Sequence, residues 1–159
     1  MLFRSGLMKI VKQEMTRRVA YVLENDDIQK AYEAMKSLNV RHVPVTRNDK
    51  VVGILSDRDL LFHGKPGKDG AVTLPHKKVD DVMTKEVVVC SMSDSIGKIA
   101  DILIERKISA VPVVDSSHKL VGIITSTDLL KLLRDKAWEI HIPMPFVFER
   151  HALLPELAF

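Results

Sequence analysis

Two hydroxyl–carboxylate pairs hold the chemistry most open to this chain. They are Gly53-x-x-Ser56-x-x-Asp59 and Gly122-x-x-Thr125-x-x-Asp128. Each follows an apolar run and precedes a second apolar stretch, where a strand would turn into a helix. A Ser or Thr three residues before an Asp at that place forms a capping box in its looser form, the hydroxyl taking one backbone amide and the carboxylate reaching back to another. The same geometry also suits a ribonucleotide. A helix N-terminus presents unpaired amides and the positive end of the dipole to a phosphate. The hydroxyl has a proton to donate, and a carboxylate one turn in can accept from two adjacent ribose hydroxyls. The two readings compete for the same side chains. Their repetition at matched positions raises the functional one, although a duplicated cap would repeat as well.

No catalytic set stands beside these pairs. The chain has neither a Gly-x-Ser-x-Gly elbow nor a phosphate loop ending in Gly-Lys-Ser/Thr. Its six histidines (42, 63, 76, 118, 141 and 151) show no His-x-x-x-His spacing, so no metal site is expected. His63, His76 and His118 fall in predicted loops. The single cysteine, Cys90, allows no internal disulfide and reads as a small buried residue. Lys77-Lys78 and Arg17-Arg18 lack interleaved aromatics, which favours solvated faces over a nucleic-acid stripe.

The elements that must position the two pairs come from a duplication. Met15-Thr16 recurs as Met83-Thr84, and Val43-Pro44-Val45 as Val111-Pro112-Val113, both 68 positions on. Gly53-Ile54-Leu55-Ser56 matches Gly122-Ile123-Ile124-Thr125 at 69, as Asp59-Leu60-Leu61 matches Asp128-Leu129-Leu130. The slip of one lies in a polar run, Arg47 to Lys50 in one copy and Asp115 to Lys119 in the other, where a hairpin turn absorbs an insertion at little cost. Each copy reads as strand, helix, strand, strand, helix. The first strands are Val19 to Leu23 and Val87 to Cys90. Asn25 or Asp26 is placed to cap the next helix of the first copy, and Ser93 that of the second. Ile28, Ala31, Tyr32, Met35 and Leu38 share one face of a helix, as do Ile96, Ile99, Ala100 and Leu103. Hairpins follow at Val43–Thr46 with Val51–Leu55, and at Val111–Val114 with Leu120–Ile124. One such unit is too small to bury its own sheet. The expected fold is therefore α+β (α/β by some schemes), two β-α-β-β-α units packed as a pseudo-two-fold pair, with sheets facing across a shared core and clefts between them. Expected boundaries are 10–63 for the first unit, 64–78 for a linker read as loop, 79–137 for the second unit and 138–159 for an apolar, Pro-containing tail.

The ordered set of Met-Thr, Val-Pro-Val and Gly-Ile-Leu-Ser-Asp-Arg-Asp-Leu, met twice on that element order, resembles the cystathionine β-synthase (CBS) domain. The tandem pair resembles a Bateman module over about residues 10 to 135. The resemblance implies a non-catalytic regulatory module binding adenosine-containing ligands (AMP, ADP or ATP) in two related clefts. It assigns the ribose to Asp59 and Asp128 and the phosphate to Ser56 and Thr125. It lines the adenine, partly through backbone groups, with Arg41, His42 and Val43 in one copy and Ser109, Ala110 and Val111 in the other. Residues just after Met-Thr border the clefts. Arg58 stands where a phosphate would need neutralising, and the second copy has Thr127 there. No cofactor is required beyond the nucleotide as regulatory ligand. Members often pair as disc-like dimers, so a homodimer and an unidentified effector protein are the expected partners. The alternative ligands on this scaffold are S-adenosylmethionine, a dinucleotide or nucleic acid. A cyclic 3′-linked dinucleotide lacks the free diol that the two Asp residues favour.

Bulk composition is consistent with this. The 159 residues are 46% hydrophobic and 28% charged with a net charge of +3, enough for a core and compatible with an anionic small ligand. Residues 1–11 are too short and polar for a membrane helix and lack a signal peptide's apolar region and cleavage site. With one cysteine, a reducing cytoplasm is the expected setting. Aromatics are only 5%, and Trp138, Phe146 and Phe148 gather in the tail, which suggests packing on the module or on a partner.

Overall fold

The structure is a computed structural model and describes residues 9–67 and 72–137. The first repeat runs α1 (Val11–Glu14), β1 (Val22–Leu23), α2 (Ile28–Leu38), β2 (His42–Arg47), β3 (Lys50–Ser56) and α3 (Asp57–His63). A two-stranded ribbon follows, β4 (Lys65–Pro66) with β5 (Val72–Thr73), and then a 3₁₀ turn at Val79–Asp81. The second repeat continues with β6 (Cys90–Ser91), α4 (Ile96–Arg106), β7 (Ala110–Val114), β8 (Leu120–Thr125) and α5 (Ser126–Ala137). Each repeat has a three-stranded sheet in the order β1-β2-β3 or β6-β7-β8. The first strand is parallel to the second, and the hairpin partner antiparallel.

Local chemistry explains most boundaries. The first hairpin turns through Asn48 and Asp49, both at positive φ (51° and 65°), residue types that tolerate a two-residue turn of this hand. The second takes its extra residue as a longer turn in which Asp115 Oδ1 accepts from Ser117 N and Lys119 N. The helix caps differ from the expected ones. Asp27, not Asn25 or Asp26, caps α2 by accepting from Gln29 N at 2.8 Å. Ser95, not Ser93, caps α4 through Lys98 N. Asp26 is already engaged, accepting from Leu23 N and Lys30 Nζ, and Asp94 does the same for Ser91 N and Lys98 Nζ. The first strands are also shorter than expected, two residues each, because only Val22–Leu23 and Cys90–Ser91 reach the neighbouring strand. The linker is not plain loop: it contains the β4–β5 ribbon, and Leu74 is buried.

The sheets face each other, β2 against β8 and β3 against β7. They do not enclose one shared core, and here the expectation is corrected. Two clusters form, one per repeat, and each is completed by the other repeat's leading arm. Val79 and Met83 of the second repeat are buried among Ile28, Val43 and Leu55. Val11 of the first is buried among Ile99, Val111 and Ile124, with Met15 packed beside it. Backbone pairing fixes the exchange. Ile54 and Thr84 trade hydrogen bonds at 3.1 and 2.9 Å, and Thr16 and Ile123 at 2.9 and 3.0 Å. The hairpin tips close the other end, where Leu120 N donates to Asp49 O at 3.1 Å. These reciprocal contacts make the pair pseudo-two-fold. They also give the motif glycines their purpose. A Cβ on Gly53 would strike the Met83 thioether and approach Thr84 O to 3.0 Å. On Gly122 it would strike Met15 Sδ at 2.7 Å and approach Thr16 O to 3.1 Å.

Candidate functional site

The arm exchange opens a cleft. Thr84 pairs with β3, so the extended chain beyond it, Glu86 to Val88, forms one wall. The start of β2 and the β3–α3 corner form the opposite wall, and the end of α4 with the start of β7 closes the third side. The cavity is about 300 Å³, the lower end of small-molecule sites.

The first hydroxyl–carboxylate pair lines this cavity. Asp59 Oδ2 accepts from Ser56 N at 2.8 Å and from Ser56 Oγ at 2.6 Å, while Asp59 N donates to Ser56 Oγ at 3.2 Å. The capping box is therefore formed, but it occupies one carboxylate oxygen. Among the described residues Asp59 Oδ1 has no hydrogen-bond donor. The box and a ribose contact are thus compatible, whereas the Ser56 proton would have to leave Asp59 to reach a phosphate. The second pair has the same form. Asp128 Oδ2 accepts from Thr125 N at 2.9 Å and from Thr125 Oγ1 at 2.7 Å. Its Oδ1 stands 3.8 Å from Lys131 Nζ.

Arg41, His42, Ser56, Arg58 and Asp59 all line this cavity, and so do Ser109 and Ala110 of the other repeat. Val43 and Val111 do not: both are fully buried within their sheets' cores, so any part they take in a ligand site runs through the backbone. Thr125 and Asp128 lie outside it, at the matching corner of the second repeat. A further cavity of about 350 Å³ sits at the hairpin tips, lined by Arg17, Tyr21, Thr46 and Lys119, and holds neither. The sequence pattern gave no sign of Asp57 or Lys107, which also line the first cleft. Asp57 holds Arg41 Nε at 3.0 Å. Lys107 ends α4 in the left-handed conformation, φ 53°, where a non-Gly, non-Asn residue is disfavoured by about 1–2 kcal/mol. The equivalent position in the first repeat is Asn39, φ 51°, a residue suited to that cap.

Among the described residues His42 is the one histidine lining the cleft. It stands directly opposite Ser56 in the β2–β3 ladder, and its Nε2 lies 3.1 Å from Ser109 Oγ across the repeat boundary. Burial holds its pKa below the ordinary imidazole value; Arg41 and Arg58 push the same way, and Asp57 and Asp59 oppose them. Cys90 is remote from the cleft, and burial pushes its thiol up to about 12. Among the described residues no group of His, Cys, Asp and Glu side chains is placed to hold a metal ion, and no helix is long and apolar enough to cross a membrane. Trp138, Phe146, Phe148, His141 and His151 lie outside the described residues.

Two sheet–helix units with exchanged arms and a cleft at their boundary define a tandem-repeat pair. Residues 11–65 and 79–135 each match the CBS domain, and the chain belongs to that family. The CBS domain pair of protein MJ0100, in complex with 5′-methylthioadenosine and S-adenosyl-L-methionine, matches over 81% of this chain and 98% of its own, with a TM-score of 0.71 and 25% identity. CBSX2 in complex with AMP matches over 80% and 98%, with a TM-score of 0.72 and 27% identity. Among curated proteins, the homoserine O-acetyltransferase of Methanosphaera stadtmanae is 32% identical over 123 residues, 77% of this chain. The chain spans only 24% of that relative's length.

Proposed function

We propose that the chain is a non-catalytic regulatory module that binds an adenine nucleotide in the cleft at Asp59 and passes its occupancy to a partner protein. The observation that carries this is the convergence of the Ser56–Asp59 pair, Arg41, His42 and Arg58 of one repeat with Ser109 and Ala110 of the other on a single cavity. Asp59 Oδ1 holds the ribose diol. Arg58 and Arg41 neutralise phosphate, joined by Ser56 once its proton turns from Asp59. Backbone groups beside Val43 and Val111 border the adenine. Thr125 and Asp128 serve a second, matching cleft. Structural neighbours that hold AMP or adenosyl ligands support this reading. A cytoplasmic homodimer that contacts an effector completes the proposal, with repeat units at 10–63 and 79–137. Coupling requires that ligand bind two conformations of the module unequally.

One observation favours a second ligand class. Glu86 lines the same cleft. Its carboxylate suits the cationic end of S-adenosylmethionine better than a phosphate. Titration calorimetry with AMP, ADP, ATP and S-adenosylmethionine separates the two. Asp59→Asn should weaken whichever adenosyl ligand binds by about tenfold or more, the loss of a charge-assisted hydrogen bond. Unchanged binding in both Asp59→Asn and Asp128→Asn would sink the reading and leave both carboxylates as caps only.

A further inference from the structure

We propose that His42 reads the phosphate of a nucleotide in the first cleft by taking up a proton as the phosphate binds. This rests on the nucleotide reading above and names which adenosyl ligands that cleft favours: those with a phosphate. The geometry begins with the ladder. Residues directly opposite in an antiparallel pair point to the same face, so His42 and Ser56 project together towards the α3 corner. The imidazole lines the cavity and binds across the repeat boundary through Nε2 to Ser109 Oγ. Among the described residues Nδ1 has no hydrogen-bond partner, so one ring nitrogen remains for a ligand.

The charges around it are set so that a phosphate tips the balance. Arg41, immediately before β2, and Arg58 of α3 are cations that disfavour an imidazolium; Asp57 and Asp59 of α3 favour one. From the other repeat, Glu86 of the leading arm and Lys107 at the end of α4 line the same cavity with opposite signs. Asp57 is paired with Arg41, and Asp59 accepts from Ser56 through Oδ2 while its Oδ1 stays open. Burial is the largest influence and holds the imidazole pKa below its ordinary value, which favours the neutral ring in the free chain. A phosphate brings negative charge and acceptor oxygens, and both stabilise the imidazolium. The ring then donates from both nitrogens, one to the phosphate and one to Ser109 of the other repeat. Occupancy at one wall is thereby felt at the contact between the halves. The second repeat has no such group: Ala110 stands opposite Thr125 where His42 stands opposite Ser56.

The sign follows from linkage. The imidazole pKa is higher in the complex than in the free chain. Affinity for a phosphate-bearing ligand is then greatest below the free value and falls as pH rises through the complexed value. The steepest slope is about tenfold per pH unit for one proton. The ligand phosphate's own second pKa of about 6 confines the clean window to pH above roughly 6.5.

The test is calorimetry of AMP and of adenosine with the full chain at about pH 7.5, in two buffers of different ionisation enthalpy. Each AMP bound should take up a fraction of a proton, and adenosine none. His42→Gln should abolish the uptake and weaken AMP several-fold more than it weakens adenosine. NMR titration of the His42 imidazole in the wild-type chain, with and without AMP, needs no variant and should show its pKa rise on binding. AMP binding without uptake, or equal uptake in His42→Gln, would overturn the proposal. Asp59→Asn separates the two readings. If it weakens both ligands while AMP takes up no proton, only the role of His42 fails. If it weakens neither, the nucleotide reading fails and takes this with it.

Discussion

The two β–α corners of this chain share a scaffold and differ in charge. Both have the glycine, the hydroxyl–carboxylate box and the other repeat's Met-Thr arm laid against the third strand. Around the Asp59 corner stand Arg41, His42, Asp57, Arg58, Glu86 and Lys107. At the matching positions around Asp128 stand Ser109, Ala110, Ser126, Thr127, Arg18 and Asn39. The shared residues are the ones that hold the corner together. The residues that differ are those a ligand's charged end would meet. Duplication has thus kept the frame and released the decoration, so the two clefts should resemble each other in stability and differ in what they hold.

The largest effect should come from the frame. Gly53→Val and Gly122→Val each drive a side chain into the exchanged arm and should destabilise by about 1–3 kcal/mol or more. For a chain of this size that lowers Tm by roughly 2–4 °C per kcal/mol. Thermal unfolding should show similar losses for the two, and a large difference between them would break the equivalence of the corners. Next are the carboxylates. Asp59→Asn and Asp128→Asn should each weaken their own cleft by about tenfold or more, and each should remove about 1 kcal/mol of capping stability. Two unequal calorimetric sites in the parent chain, one lost in each variant, would sharpen the comparison. Two identical and independent sites would break it. Arg58→Thr gives the first corner the second's residue. As an exposed charge it should alter AMP affinity only a few-fold, an effect that fades at high salt. The smallest effect is expected at Cys90, whose counterpart in the first repeat is Val22. Cys90→Val should change stability by less than about 1.5 kcal/mol. With its thiol held up at about 12 by burial, Cys90 should resist alkylation at pH 8 until the chain unfolds.

Much of the frame was legible because it is written in local patterns. The hairpins show as apolar runs split by polar turns, and the box shows as a hydroxyl three residues before an acid. What was not legible depends on contacts between distant segments. Met15-Thr16 and Met83-Thr84 mark the repeats, but nothing in their spacing says that each arm crosses to the other half. The cap positions slipped because Asp26 and Asp94 accept hydrogen bonds from the chain behind them, leaving Asp27 and Ser95 to the helices. In the cleft, Val43 and Val111 sit next to useful residues in sequence, but strand alternation turns their side chains inward. Lys107 reaches the cleft only because α4 ends in a left-handed residue there, a backbone choice that a lysine does not announce.

The exchanged arms have a consequence for the chain cut in two. A fragment ending after β4 would possess an arm shaped for a groove it lacks, and a groove shaped for an arm it lacks. Two such fragments are complementary to each other in the way that cohesive ends are. Severed halves should therefore find one another, and a lone half should pair with its own copy, rebuilding from two molecules the two-fold that the intact chain makes from one.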